Sequence, residues 1–301
     1  MMTQQPDMPK ATDFKPEVLK LFDKYVHGLI DRRTFLDRSA RYTAGAAGAA
    51  ATLAALAPNF ARAQQVKPDD ARLKTDWVEI ASPSGYGTIK AYVARPAQAD
   101  KSLPVVLVVH ENRGLNPHIE DIARRLALEN FIAIAPDALT PLGGYPGDED
   151  KARETFAKLD QAKTREDFVA AAGYAMKVDG GNGSLGVVGF CYGGGIANLL
   201  ATRVPELKAA VPFYGAPPPL EAVPNIKAEL LLNFAGNDDR VNAQWPAYEA
   251  ALKAAFIRYH AFVYPGVEHG FNNDTTPRYN PEAAKLAWTR TLELFNRTLR
   301  A

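Results

Sequence analysis

Apolar side chains near the start of the chain recur at Val18, Leu19, Phe22, Tyr25, Val26, Leu29 and Ile30. That spacing follows one face of a helix. Charged residues fill 31–42, DRRTFLDRSARY, and an uncharged run follows over 43–60, TAGAAGAAATLAALAPNF. From about Thr75 the pattern changes. Short alternating runs at 76–82 and 89–96, joined by SPSGYG, predict a leading hairpin. The runs PVVLVVH and FIAIAPDA are continuously apolar, as strands covered on both faces must be. Further strands are predicted in SLGVVGF, LKAAVPFYG, AELLLNFAGND and RYHAFVYPGV. Between them lie helical patterns at 118–130, 151–178, 193–204 and 242–256, and 281–300 closes the chain. Strands alternating with helices imply an α/β fold, a mostly parallel central sheet flanked by helices on both faces. The chain divides into an N-terminal extension, 1–70, and a body, 71–301.

Composition adds exclusions. With 301 residues there is room for one large α/β domain plus an extra segment. The net charge of +1 implies no basic face, which argues against a nucleic-acid partner. A single cysteine rules out an intramolecular disulfide and a Cys-rich zinc site.

The extension has the parts of an export signal. Arg32 and Arg33 precede Phe35 and Leu36, the uncharged run follows, and Ala61 to Ala63 form an A-x-A site. The expectation is a twin-arginine signal, its export machinery as a partner, a periplasmic location and a mature start near Gln64. The uncharged run is mostly Ala and Gly, too weakly apolar for a stable span. The alternative is a cytoplasmic protein that retains the arm, with its amphipathic helix available for a homodimer contact.

The chemistry concentrates where a predicted strand meets a predicted helix, at GFCYGG. Gly189-Phe190-Cys191-Tyr192-Gly193 has the G-x-C-x-G spacing of a nucleophile elbow, with sulfur in place of a hydroxyl. A thiol at a helix N-terminus is favoured as thiolate. Such a nucleophile needs a base and an orienting acid, in the chain order nucleophile, acid, histidine. Downstream lie His260, inside a strand, and His269, in the loop after it; His269 is the expected base. Asp238 and Asp239 both follow the preceding strand, and spacing does not separate them. The loop HENRGLNP follows the first buried strand. In this fold it donates one oxyanion-hole N–H, and the residue after the nucleophile, Tyr192, donates the other. Glu111 would face the thiol, while His110 is expected to donate to a loop carbonyl.

The segments HENRGLN, IAPDAL, GFCYGGG, FAGNDDRV and YPGVEHGF, in that order, resemble the dienelactone hydrolase family of α/β-hydrolases. The resemblance implies the α/β-hydrolase fold and a Cys-Asp-His triad of Cys191, Asp238 and His269. It also implies a glutamate, Glu111, that holds the resting thiol and joins in its activation. The N–H groups of Tyr192 and Asn112 would form the oxyanion hole. Arg113, Tyr145 and Arg278 are the candidate substrate-binding side chains. The family's arginine shortly after the histidine is absent here, where Asn272 and Asn273 stand. The implied reaction is ester or lactone hydrolysis through a thioester, on a small-molecule substrate, with no metal or organic cofactor. A carboxylesterase with no preference for dienelactone and a non-catalytic binding protein are the alternatives.

Overall fold

The computed structural model describes residues 9–99 and 101–300. Four helices come first: α1 (Pro16–Val26), α2 (Arg32–Ser39), α3 (Gly45–Ala55) and the single turn α4 (Phe60–Ala63). They build a core of their own. Val18, Leu19, Phe22, Tyr25 and Val26 of α1 close on Phe35 of α2 and on Leu53 and Leu56. The apolar face of α1 is therefore covered within its own chain, which removes it as the surface for the expected dimer contact. Asp31 caps α2 by accepting from the Thr34 N–H at 2.7 Å. No single helix among the described residues is long and apolar enough to cross a membrane.

The body begins with β1 (Leu73–Ser82) and β2 (Gly87–Pro96), the predicted antiparallel hairpin. Next come β3 (Leu103–Val109), α5 (Pro117–Leu128) and β4 (Ile132–Pro136). The region 151–178, with its helical pattern, forms two helices, α6 (Glu149–Phe156) and α7 (Gln161–Ala175). Asp160 starts the second by accepting from the N–H groups of Ala162 and Lys163. Then follow β5 (Gly181–Phe190), α8 (Tyr192–Arg203), β6 (Leu207–Phe213), β7 (Glu229–Ala235), α9 (Asp239–Asn242), α10 (Trp245–Ala254), β8 (Tyr259–Tyr264) and α11 (Pro281–Leu299).

The eight strands make one sheet in the order β1-β2-β4-β3-β5-β6-β7-β8. It is parallel from β4 to β8, with β1 and β2 antiparallel at one edge. Side chains alternate across a strand, so β3 feeds both layers. Val105, Leu107 and Val109 join Phe168, Ile196 and Leu200 on one face. Val106 and Val108 join Ile119, Ile122 and Phe295 on the other. β3 lies between β4 and β5, so the loops after β3 and β5 diverge and leave a crevice at the C-terminal edge, where ligands bind in such sheets.

That edge depends on close backbone packing under α8. A Cβ on Gly189 would sit 1.9 Å from the Gly193 carbonyl oxygen, and one on Gly193 would sit 2.2 Å from that of Val109. Backbone cannot swing aside as a side chain can. Gly189→Ala is expected to cost about 1–3 kcal/mol through overpacking and to lower Tm by several degrees. Thermal unfolding followed by circular dichroism checks this; an unchanged Tm would show that α8 lifts freely.

Candidate active site

Cys191 alone makes the turn between β5 and α8. Its φ is 56° and its ψ −111°, a strained conformation for a residue with a Cβ. The turn is held from both sides. The Cys191 N–H donates to the Phe213 carbonyl at 3.0 Å, and the Cys191 carbonyl accepts from the Gly195 N–H at 3.2 Å. Tyr192 then opens α8, where the first N–H groups lack intrahelical acceptors.

His269 lies beyond β8 and Asp238 beyond β7, so parallel strands bring both to the rim that carries Cys191. Asp238 Oδ2 is 2.5 Å from His269 Nδ1. Asp238 also caps α9, accepting from the Val241 N–H at 3.2 Å. One carboxylate thus fills the orienting role and the capping role, which separates it from Asp239. With Nδ1 engaged, the buried Nε2 of His269 has no hydrogen-bond partner among the described residues. His260 stands apart, 3.3 Å from Glu229.

A second imidazole reaches the sulfur from the extension. His27 ends α1, and its Nε2 lies 3.4 Å from Cys191 Sγ. The rings of His27 and His269 meet edge to face, with centroids 4.6 Å apart. Sγ and one nitrogen of each ring lie within 4.8 Å of one another. This donor set would also suit a soft cation such as zinc, but a thiolate held by imidazolium groups accounts for it without one. Arg240 stands 3.1 Å from His27 Nε2 and 3.5 Å from His269 Nδ1. Sequence reasoning missed His27, which lies 164 residues from the cysteine it touches.

Burial alone would push the thiol up. The neighbouring His269 and His27 outweigh it and bring Cys191 down to about 5. Burial likewise works against a charged imidazole at His269, yet the sulfur and Asp238 hold its pKa above the usual histidine range. The resting state is therefore a thiolate beside protonated imidazole.

The other predicted residues fall into two groups. Glu111 lines the same cavity as Cys191, but its carboxylate accepts from Asn273 Nδ2 at 3.0 Å. The hydrogen-bonding contact to the thiol comes from His27 instead. His110 is neutral, since burial lowers its pKa. Its Nε2 accepts from the Ala138 N–H at 3.1 Å, so the proton is on Nδ1, which donates to the Glu111 carbonyl at 2.6 Å. Asn112 lines the site and donates from its side chain to the Val26 carbonyl at 2.8 Å. Arg113 lines it too, its charge matched by Glu149 at 2.9 Å. Arg278 is buried over Phe22, and its Nε and Nη1 make no hydrogen bond among the described residues. Tyr145 is the departure. It donates to Glu149 at 2.9 Å and packs edge-on against Phe60, outside the walls of the cavity.

The arm divides the space above the sulfur. On the Glu111 and Arg278 side, a cavity of about 60 Å³ remains. On the other side, a groove of about 380 Å³ runs over Tyr192, Ile196, Leu199, Tyr214 and Pro217–Pro219, with Arg165 and Arg240 among its polar groups.

A mostly parallel sheet with a strained elbow cysteine, and a histidine and aspartate from later loops, defines the α/β-hydrolase class. The profile of the Dienelactone hydrolase family matches residues 89–299, and a second profile, described as YqhI-like, matches residues 6–44. An Escherichia coli K12 protein provisionally named carboxymethylenebutenolidase is 36% identical over 243 residues, covering 76% of this chain and 88% of its own. The crystal structure of a provisional dienelactone hydrolase from Klebsiella pneumoniae superposes with a TM-score of 0.66 at 33% identity, covering 74% of this chain and 99% of that one. A thermostable esterase from Pseudomonas putida shares the fold over 95% of this chain and 98% of its own, with a TM-score of 0.62 and 18% identity. The chain belongs to the dienelactone hydrolase family and is a carboxylic ester hydrolase.

Because the folded thiol titrates near 5, against about 8.5 for a free cysteine, its thiolate persists through neutral pH. Alkylation of Cys191 by iodoacetamide is expected to be fast at pH 7 and to fall only as pH drops through about 5. The pH profile of the labelling rate, followed by mass spectrometry, checks this; a midpoint near the free-thiol value would contradict it.

Proposed function

We propose that Cys191 is the nucleophile of ester or lactone hydrolysis, with His269 as base, Asp238 as its orienting acid and a thioester as the covalent intermediate. The observation that carries this reading is the Asp238–His269 pair set beside an elbow thiol that the neighbouring imidazoles keep ionised. The N–H groups of Tyr192 and Asn112 face the developing oxyanion, a contribution of a few kcal/mol per donor in such sites. Glu111 lines the same cavity as the thiol, and the activating role that the family resemblance implies for it is part of this proposal. The provisional name of the relatives, carboxymethylenebutenolidase, supports a lactone as substrate. Arg278, a buried cation whose Nε and Nη1 make no hydrogen bond among the described residues and whose carboxylate neighbour Asp23 lies 3.9 Å off, is the group to receive a substrate carboxylate. The 380 Å³ groove is mostly apolar and would also take the body of a simple ester.

The packing of the extension supports a second proposal, that it stays on the mature protein. The Asn59 N–H donates to the Thr275 carbonyl at 2.8 Å, and the N–H groups of Gln65 and Val66 donate to Asp121. The A-x-A site thus lies in a segment tied down on either side. Intact-mass measurement is expected to find residues before Gln64 retained; a chain starting near Gln64 would restore the cleaved export signal.

Cys191→Ala is expected to abolish turnover of an activated aryl ester, by a factor of about 10³ or more, with thermal unfolding little changed. Surviving activity would remove the proposed nucleophile. A panel of unsaturated lactones carrying a carboxylate, run against neutral aryl esters on Arg278→Ala, separates a dienelactone-type hydrolase from a general carboxylesterase. The former loses affinity for the acidic lactones alone.

A further inference from the structure

Of the two imidazoles on the sulfur, only His27 also lines the larger groove. Its setting parallels that of His269. His27 Nδ1 lies 2.7 Å from the Asp23 carbonyl oxygen and 3.2 Å from the Asp23 carboxylate, so Nδ1 carries a proton and Nε2 faces the sulfur. The ring sits at the C-terminus of α1, where the exposed carbonyls favour a cation.

The last turn of α1 is fixed from several directions. Asn112 holds the Val26 carbonyl, Arg153 donates to the Tyr25 carbonyl at 2.6 Å and covers the Tyr25 ring, and the Tyr25 hydroxyl donates to Asp150. These bonds hold the two residues before His27 on the body, so the imidazole is placed by design of the fold and not by a loose terminal contact.

We propose that His27, oriented by Asp23, is a catalytic residue: the proton donor to the leaving alcohol or enol, separate from the His269–Asp238 pair that activates water. This rests on Cys191 being the nucleophile. At rest the sulfur is anionic and His27 is protonated. Sγ attacks the carbonyl carbon, forming the S–C bond while the π electrons move to oxygen. As the tetrahedral adduct collapses, the C–O bond breaks and the leaving oxygen takes the proton from His27 Nε2. With the sulfur's charge gone, His269 first releases its proton to solvent; water then attacks the thioester and gives a proton back to His269, and sulfur departs with its electron pair. The acid product ionises, its proton restoring His27.

The charges fit this order. Burial works against a charged His27, as does the Arg240 guanidinium 3.1 Å from Nε2, but the sulfur anion and Asp23 raise it to about 10. Acylation removes the sulfur's charge, so the group that kept His27 protonated disappears as the proton is needed.

The test uses the full chain and two esters with the same acyl group, one with a p-nitrophenol leaving group and one with an alkyl alcohol. A good leaving group departs without a proton and a poor one does not, so loss of the donor is selective. In His27→Ala, kcat/KM is expected to fall about 10²-fold or more on the alkyl ester, the usual scale of general acid catalysis. It should fall less than about 10-fold on the aryl ester. His27→Gln keeps the size of the side chain and is expected to show the same selectivity, as is a smaller fall in Asp23→Asn, so misfolding of one variant does not decide the result. Equal losses on both esters, no loss, or a gain from opening the site would overturn the proposal. Activity persisting in Cys191→Ala would instead overturn the nucleophile on which it rests.

Discussion

The position of one sulfur atom depends on backbone touching backbone. Cys191 can hold a positive φ only because Gly189, Gly193 and Gly194 let α8 lie against β3, β5 and β6 with no side chain between them. That contact lifts the thiol out of the sheet edge and points it at the loops after β7 and β8. Without it, a cysteine following a buried strand would be one more small apolar residue in the core.

Around the lifted thiol the chain collects charge in a place that burial makes costly. A buried thiolate is unfavourable unless opposite charge stands beside it. Here two imidazoles do so, each steadied by an aspartate, Asp238 for His269 and Asp23 for His27. The first pair comes from the body. The second comes from an arm whose own hydrophobic core makes it rigid enough to present a side chain. That arm also narrows one side of the site to about 60 Å³, so it bears on which substrates enter as well as on the charge at the sulfur. Arg278 links both halves, packing on Phe22 of the arm while lining the cavity of the body.

The family and the fold were legible because their signals are local. Alternating and continuous apolar runs mark strands, G-x-C-x-G marks the elbow, and YPGVEHGF places a histidine in a loop just past a strand. The helical pattern over 151–178 held, and the division into α6 and α7 follows the cap that Asp160 supplies. Tyr145 was a candidate substrate-binding side chain, and only packing showed that its hydroxyl is taken up by Glu149.

The sequence by itself determined the order of strands and helices, the residue at the elbow and the histidine that follows it, since each is set by neighbours within a few positions; it narrowed the acid to Asp238 or Asp239, and the family resemblance pointed to Asp238. Only the tertiary structure decided what meets the sulfur from far away in the chain. Nothing in the spacing of HGLIDRR connects His27 to Cys191. The connection arises because the apolar face of α1 must be buried, and burying it against α2 and α3 while Asn112 and Arg153 bind its last turn leaves the imidazole over the thiol.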